Sequence, residues 1–204
     1  YYVVRAVDTD GESGNSTMAV KMRFEFKYYS GLAQDNWISL PYNCSWLAGL
    51  NAPVDVLTAS DIVMAIEGGL DYPGNDTYIS VVKRWNASLQ GTDPTNDEFR
   101  YKSSGFGSKG WVDGTDFVIR PGDGISLYLS GNTPSFNWTV VGTDLVGTQK
   151  FKYYSGLAQD NWMSIPYTMR DVNGDGVLTA KDIVMAIEGG LDYPGNDTYI
   201  SVVK

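Results

Sequence analysis

The chain has no histidine at all and a single cysteine, Cys44. The first absence removes the commonest general base and the commonest transition-metal ligand, so Ser-His-Asp hydrolysis and His-ligated zinc are excluded within these residues. The second rules out an internal disulfide, and Cys44 reads as a small buried apolar side chain rather than a reactive thiol. Basic residues are scarce: 15 Lys and Arg stand against 24 Asp and Glu, for a formal charge of -9. A protein that tracks phosphates needs clustered cations to displace counterions, so the balance speaks against nucleic acid as a partner and suits divalent cations. No apolar run approaches the roughly 18 residues a membrane helix needs. The opening YYVVRAVDTDG lacks the charged start and apolar core of a signal peptide, so any export signal or anchor is expected outside these residues.

Aromatic residues are plentiful at 13% of the chain, which suits β-rich architecture because flat side chains pack well on pleated surfaces. More informative is a duplication. Residues 26–42, FKYYSGLAQDNWISLPY, return at 151–167 with two changes, and residues 57–83 return at 178–204 with one change. A period of this size marks a tandem array of whole domains rather than a solenoid of short repeats. The connectors differ: the first reads NCSWLAGLNAPVDV and the second TMRDVNGDGV.

The expected fold is mainly β, an antiparallel sandwich or barrel repeat with one short α-helix per copy. Strand-like runs fall at 36–41, 78–85, 115–120, 124–130 and 136–141. Thr58-Ala59-Ser60-Asp61 is a helix start, with Asp61 favourably near the positive helix end, and Gly68-Gly69 stops the helix. Three segments follow: 1–25 as a terminal hairpin, 26–146 as a complete repeat unit, and 147–204 as the first half of a second unit. The chain holds two first halves and one second half, so pairing between like chains leaves one half unmatched. It is therefore expected to be a segment of a longer tandem protein.

Residues 1–17, YYVVRAVDTDGESGNST, resemble the last two strands of a fibronectin type III domain. A lone hairpin is not stable in water, so these residues are expected either to belong to a larger domain upstream or to pack on the next unit. Asn36 to Pro41, Thr58 to Ile62, Arg84 to Ala87 and Phe117 to Gly124 together resemble a repeat of large secreted surface proteins of archaea and some bacteria. That resemblance implies location and architecture but no activity.

The second connector runs into a candidate metal loop. Asp171, Asn173, Asp175, Thr179 and Asp182 supply oxygen donors at positions 1, 3, 5, 9 and 12, Gly176 makes the sharp turn at position 6, and Val177 offers its carbonyl at position 7. Hard oxygen donors at this spacing select Ca²⁺ over softer metals. Aspartate at position 12 followed by an apolar helix resembles the calcium loop of type I dockerins. A full dockerin carries two such segments and this chain shows one. In the first copy Leu50, Ala52 and Val54 replace the leading ligands, so one calcium per chain is expected. The other acidic clusters, 8–12 and 93–98, lack ligand spacing and read as solvated turns.

Compartment is read from six N-x-S/T sequons, at Asn15, Asn43, Asn75, Asn86, Asn137 and Asn196. Their number points to glycosylation outside the cell. Catalysis finds little support: Glu98, Asp113 and Asp116 lie in loops, at spacings that turn chemistry explains. The expected function is a non-catalytic, calcium-stabilised, glycosylated structural module of a surface assembly such as a sheath, S-layer, filament or adhesin stalk. Its expected partners are like subunits or neighbouring repeats, a surface protein or a polysaccharide. The alternative is a carbohydrate-binding or dockerin-like module of a secreted multidomain enzyme, in which Trp111, beside Gly110 and Asp113, looks like the exposed sugar-stacking residue while Trp37 and Trp85 look like core.

Overall fold

A computed structural model describes residues 7–8, 11–12, 19–29, 34–40, 42–44, 56–68, 77–102, 110–131, 133–143, 160–162 and 176–188. The chain divides into two compact units, Tyr1–Pro166 and Tyr167–Lys204. The fold is mainly β. Nine strands are described, all in antiparallel pairings, together with two short helices.

In the first unit, β1 (Val7–Asp8) pairs with β2 (Gly11–Glu12) in a short hairpin. β3 (Ala19–Phe26) pairs with β9 (Phe136–Thr143) over eight residues, from Ala19 opposite Thr143 to Phe26 opposite Phe136. The boundary drawn at residue 26 thus falls at the end of a strand. Residues 19–25, assigned to the terminal hairpin of 1–25, instead meet a partner far along the chain. The reason is the alternation of the two strands: Lys21, Arg23 and Glu25 face water on one, Asn137 and Thr139 on the other, while Phe26, Trp138 and Val140 are buried on the opposite face. Phe26 stacks on Phe136 with ring centroids 5.0 Å apart.

The larger sheet has the order β4-β8-β5-β6-β7, comprising β4 (Asp35–Ser39), β8 (Gly124–Leu129), β5 (Ile79–Arg84), β6 (Glu98–Lys102) and β7 (Gly110–Gly114). β8 is paired on both edges, and Ile125, Leu127 and Leu129, which recur at every second position and so share one face, are buried. The 115–120 run, read as a strand, makes one isolated bridge, Val118 with Thr58, because it crosses the start of a helix rather than lying along a full partner strand.

That helix, α1 (Ala59–Glu67), begins as its sequence indicates. The Asp61 carboxylate accepts from the Thr58 amide at 2.9 Å and the Thr58 hydroxyl at 3.0 Å. Gly68 ends the helix at φ 81, in the left-handed region that glycine enters without a Cβ penalty. Ile62 and Val63 are fully buried, each contributing roughly 1.5–3 kcal/mol of burial free energy. At the other end Glu67 accepts from the amides of Thr77, Tyr78 and Ile79, tying the helix to the start of β5. In the second unit the described helix is α2 (Ala180–Glu188). No helix among the described residues is long and apolar enough to cross a membrane.

Candidate functional site

Of the six proposed calcium ligands, Asp171, Asn173 and Asp175 lie outside the described residues, while Val177, Thr179 and Asp182 lie within them. Gly176, the turn position of the loop, has φ 85, the conformation that position needs. Asp182 is fully buried and its carboxylate accepts from the Thr179 amide at 2.8 Å and the Thr179 hydroxyl at 2.7 Å. The arrangement brings two proposed ligands into contact at the helix start. It also repeats the Thr58–Asp61 cap of the first copy, where the leading ligands are missing, so the cap itself needs no metal. These three residues fit a calcium loop in donor type and turn geometry. Among the described residues no group of three or more acidic, Cys or His side chains converges on one point.

Three of the sequon asparagines are described. Asn43 and Asn137 are exposed, and the side-chain carbonyl of Asn137 accepts from Arg23 at 3.1 Å. Asn86 is half-buried and committed elsewhere: its amide nitrogen donates to Asp97 at 2.8 Å and its carbonyl oxygen accepts from the Ser88 amide and hydroxyl. Asn15, Asn75 and Asn196 fall outside the described residues. Cys44 is buried, and burial pushes its thiol up to about 12, which leaves no thiolate for chemistry near neutral pH. The thiol lines an apolar cleft of about 410 Å³ together with Leu40, Leu57 and Ile119.

The acidic residues considered for catalysis are engaged in the fold. Glu98 and Asp113 sit in strands β6 and β7, not loops. Glu98 is buried and accepts from Thr92 at 2.9 Å and from Arg100. Asp116 caps α1 from outside, accepting from the Ser60 amide at 2.8 Å and the Ser60 hydroxyl at 2.7 Å. The 93–98 cluster is only half the solvated turn that its sequence indicates. Asp93 holds a turn through the Thr95 amide and the Asn96 side chain, which, with Asn96 contributing most, lower its carboxyl below the ordinary value. Asp97, by contrast, is buried and receives two bonds from Arg84, which stacks over Phe117 at 5.1 Å. A buried carboxylate must be paired, and an arginine 13 residues before Asp97 cannot be recognised from local composition.

The aromatic residues are arranged differently from the sequence reading. Trp111 is 7% exposed, stacked on Phe99 with centroids 5.4 Å apart, because strand pairing with β6 turns it inward. The exposed indole is Trp162, at 45%, the second-copy counterpart of Trp37. It meets Trp37 at 5.0 Å and Trp85 at 5.5 Å. Trp85 donates its indole N–H to the Asp160 carbonyl at 3.0 Å. The Gln90 side chain pairs with the Asp160 amide at 2.8 Å and with its carbonyl at 3.3 Å. Gly124 lies beneath Trp162, where an added Cβ would stand 2.6 Å from the Trp162 Cβ. The repeated Asn-Trp pair was the signal for this cluster. What the sequence could not reveal is that one copy sits in a sheet and the other caps two tryptophans.

Comparison of the chain with family models, with curated protein sequences and with solved structures finds no match.

Proposed function

We propose that the chain is a non-catalytic structural repeat module of an extracellular surface assembly, stabilised by calcium and carrying glycans. The observation that carries this reading is the duplication. Two copies of the same block start the same helix with the same threonine–aspartate cap, and the sequence differs where the second copy acquires DVNGDG. Repetition of scaffold with one altered connector is the pattern of an array that gains length and local stability. Gly176 in the left-handed region, at the turn position of the donor-spaced loop, supports the calcium component. The exposed Asn43 and Asn137 support glycosylation, and the engagement of Glu98, Asp97 and Asp116 in structural bonds supports a scaffold role.

Calcium held only by the folded state stabilises it by mass action. Chelation with EDTA is expected to lower the melting temperature and to disassemble any polymer. An unchanged melting curve with and without EDTA overturns the calcium component. A strictly monomeric particle in static light scattering and electron microscopy overturns the assembly component.

The polysaccharide-binding alternative is favoured by one observation, the exposed Trp162 beside Trp37 and Trp85. Loss of polysaccharide retention in Trp162→Ala supports it, and no retention by the unaltered chain ends it.

A further inference from the structure

α1 and α2 begin with the same cap but in different surroundings. In the first copy a four-residue segment, Asp116-Phe117-Val118-Ile119, crosses the helix start. The Ala59 amide donates to the Phe117 carbonyl at 3.0 Å, and the Ile119 amide donates to the Leu57 carbonyl at 2.9 Å. Phe117 and Ile119 join Leu57, Ala59, Ile62 and Val63 in the buried core. Asp116 completes the contact by accepting both the amide and the hydroxyl of Ser60.

The same face of the second copy is open. Leu178 is 42% exposed where its counterpart Leu57 is 7% exposed. Ala180 is exposed where Ala59 is buried, and Ile183 and Val184 are half-buried where Ile62 and Val63 are wholly covered. Among the described residues nothing pairs with the Leu178 carbonyl or the Ala180 amide. One residue in the repeated block of 57–83 differs, and it is the one that meets Asp116: Ser60 becomes Lys181, which is exposed. A lysine there places an ammonium where the first copy receives a carboxylate, and charge-assisted bonds are stronger than neutral ones.

We infer that the start of α2 and its apolar face form a docking surface for one extended segment built like residues 116–119, a carboxylate followed by alternating large apolar residues. The occupant is the second half of a further repeat of this kind. Its backbone adds to Leu178 and Ala180 as a short strand, its two apolar side chains cover Leu178, Ile183 and Val184, and its carboxylate binds Lys181. Residues 116–119 of this chain already serve α1 and do not fill the role. The inference rests on the repeat-module reading but on neither calcium nor location.

The test extends the full chain after Lys204 with a second copy of residues 84–146, the stretch that follows the equivalent Lys83. Amide exchange of α2 is expected to slow by about 100-fold relative to the unextended chain, as burial of a helix face raises its opening free energy. Lys181→Glu in the extended chain is expected to return about 10-fold of that protection, and lysine in place of the appended copy's counterpart of Asp116 is expected to restore it. Exchange that is unchanged by the extension overturns the docking surface. Protection that ignores the Lys181→Glu change overturns the carboxylate pairing. Protection that already rises with concentration in the unextended chain, together with a dimer in sedimentation, overturns the assigned occupant in favour of a second copy. The EDTA melting curve of the unextended chain is read separately, so failure of docking and failure of the calcium component give different results.

Discussion

The two helices share eight of nine residues, ASDIVMAIE in α1 and AKDIVMAIE in α2, and the same threonine–aspartate contact at their start. α1 nevertheless buries Ala59, Ile62 and Val63 completely, whereas the equivalent Ala180, Ile183 and Val184 are partly or wholly open to water. Nearly identical local sequence forms the same capped helix with unequal packing. The difference shows that the cap and the apolar face are separable. The cap is satisfied by atoms three residues apart, while the face depends on a segment fifty residues or more downstream, such as Asp116 with Ser60. An isolated helix of nine residues is marginal in water, so α1 draws its stability from the packing of Ile62 and Val63.

The largest effect should come from truncating the same isoleucine in each helix. Ile62→Ala is expected to cost about 2–5 kcal/mol, because the site is closed and leaves a cavity. Ile183→Ala, at a half-open site, is expected to cost no more than about 1 kcal/mol. Urea denaturation, followed through amide exchange of each helix, measures both, and equal costs would break the comparison.

Calcium removal should act in the opposite sense. If the second connector holds the ion, EDTA is expected to destabilise α2 and leave α1 unaffected, by about 2.7 kcal/mol when free calcium stands at 100 times its dissociation constant. The contrast is sharpened by Asp175→Ala, which should abolish the EDTA response; equal loss of protection in both helices refutes a ligand confined to the second copy.

Asp116→Ala removes the acceptor for two Ser60 donors at the start of α1 and is expected to cost about 1–2 kcal/mol, a typical loss for a helix cap or a buried hydrogen bond. Exchange in α2 should not change. A response in α2 would show that the two copies are not energetically independent.

The smallest effect concerns Asp123, in the turn between Arg120 and β8. Burial raises its carboxyl above the ordinary value, against the opposing pull of the Arg120 amide and the charges of Arg84 and Arg120. A raised folded pKa means that the folded state takes up the proton first. Stability is therefore gained as pH falls through the folded value toward the unfolded one, about 3.9. Asp123→Asn should melt at or slightly above the parent at pH 7, with the gap narrowing through that window. A gap that widens on acidification reverses the assignment.

Much of the scaffold could be read from residue patterns: α1 with its Thr58 start and Gly68 stop, and the strands at 35–39, 79–84, 124–129 and 136–143. Two strands, β6 and β7, carry turn-like or loop-like sequence. β6, Glu98-Phe99-Arg100-Tyr101-Lys102, alternates polar and apolar residues as a half-buried strand should, but its acidic start resembled a turn. β7 resembles a loop because Gly110 and Gly114 bracket it, which is why Trp111 looks exposed from sequence. Pairings such as β3 with β9, and Arg84 with Asp97, join residues that no local pattern relates.

By itself the sequence determined the duplication, the helix caps, the donor spacing from Asp171 to Asp182 and the change from Ser60 to Lys181, because each depends on neighbours within a turn or on direct comparison of two copies. Only the tertiary structure decided that Trp111 is covered while Trp162 is exposed, and that the same apolar helix face is closed in one copy and open in the other. Burial is a property of what arrives from elsewhere in the chain, and identical residues cannot specify it alone.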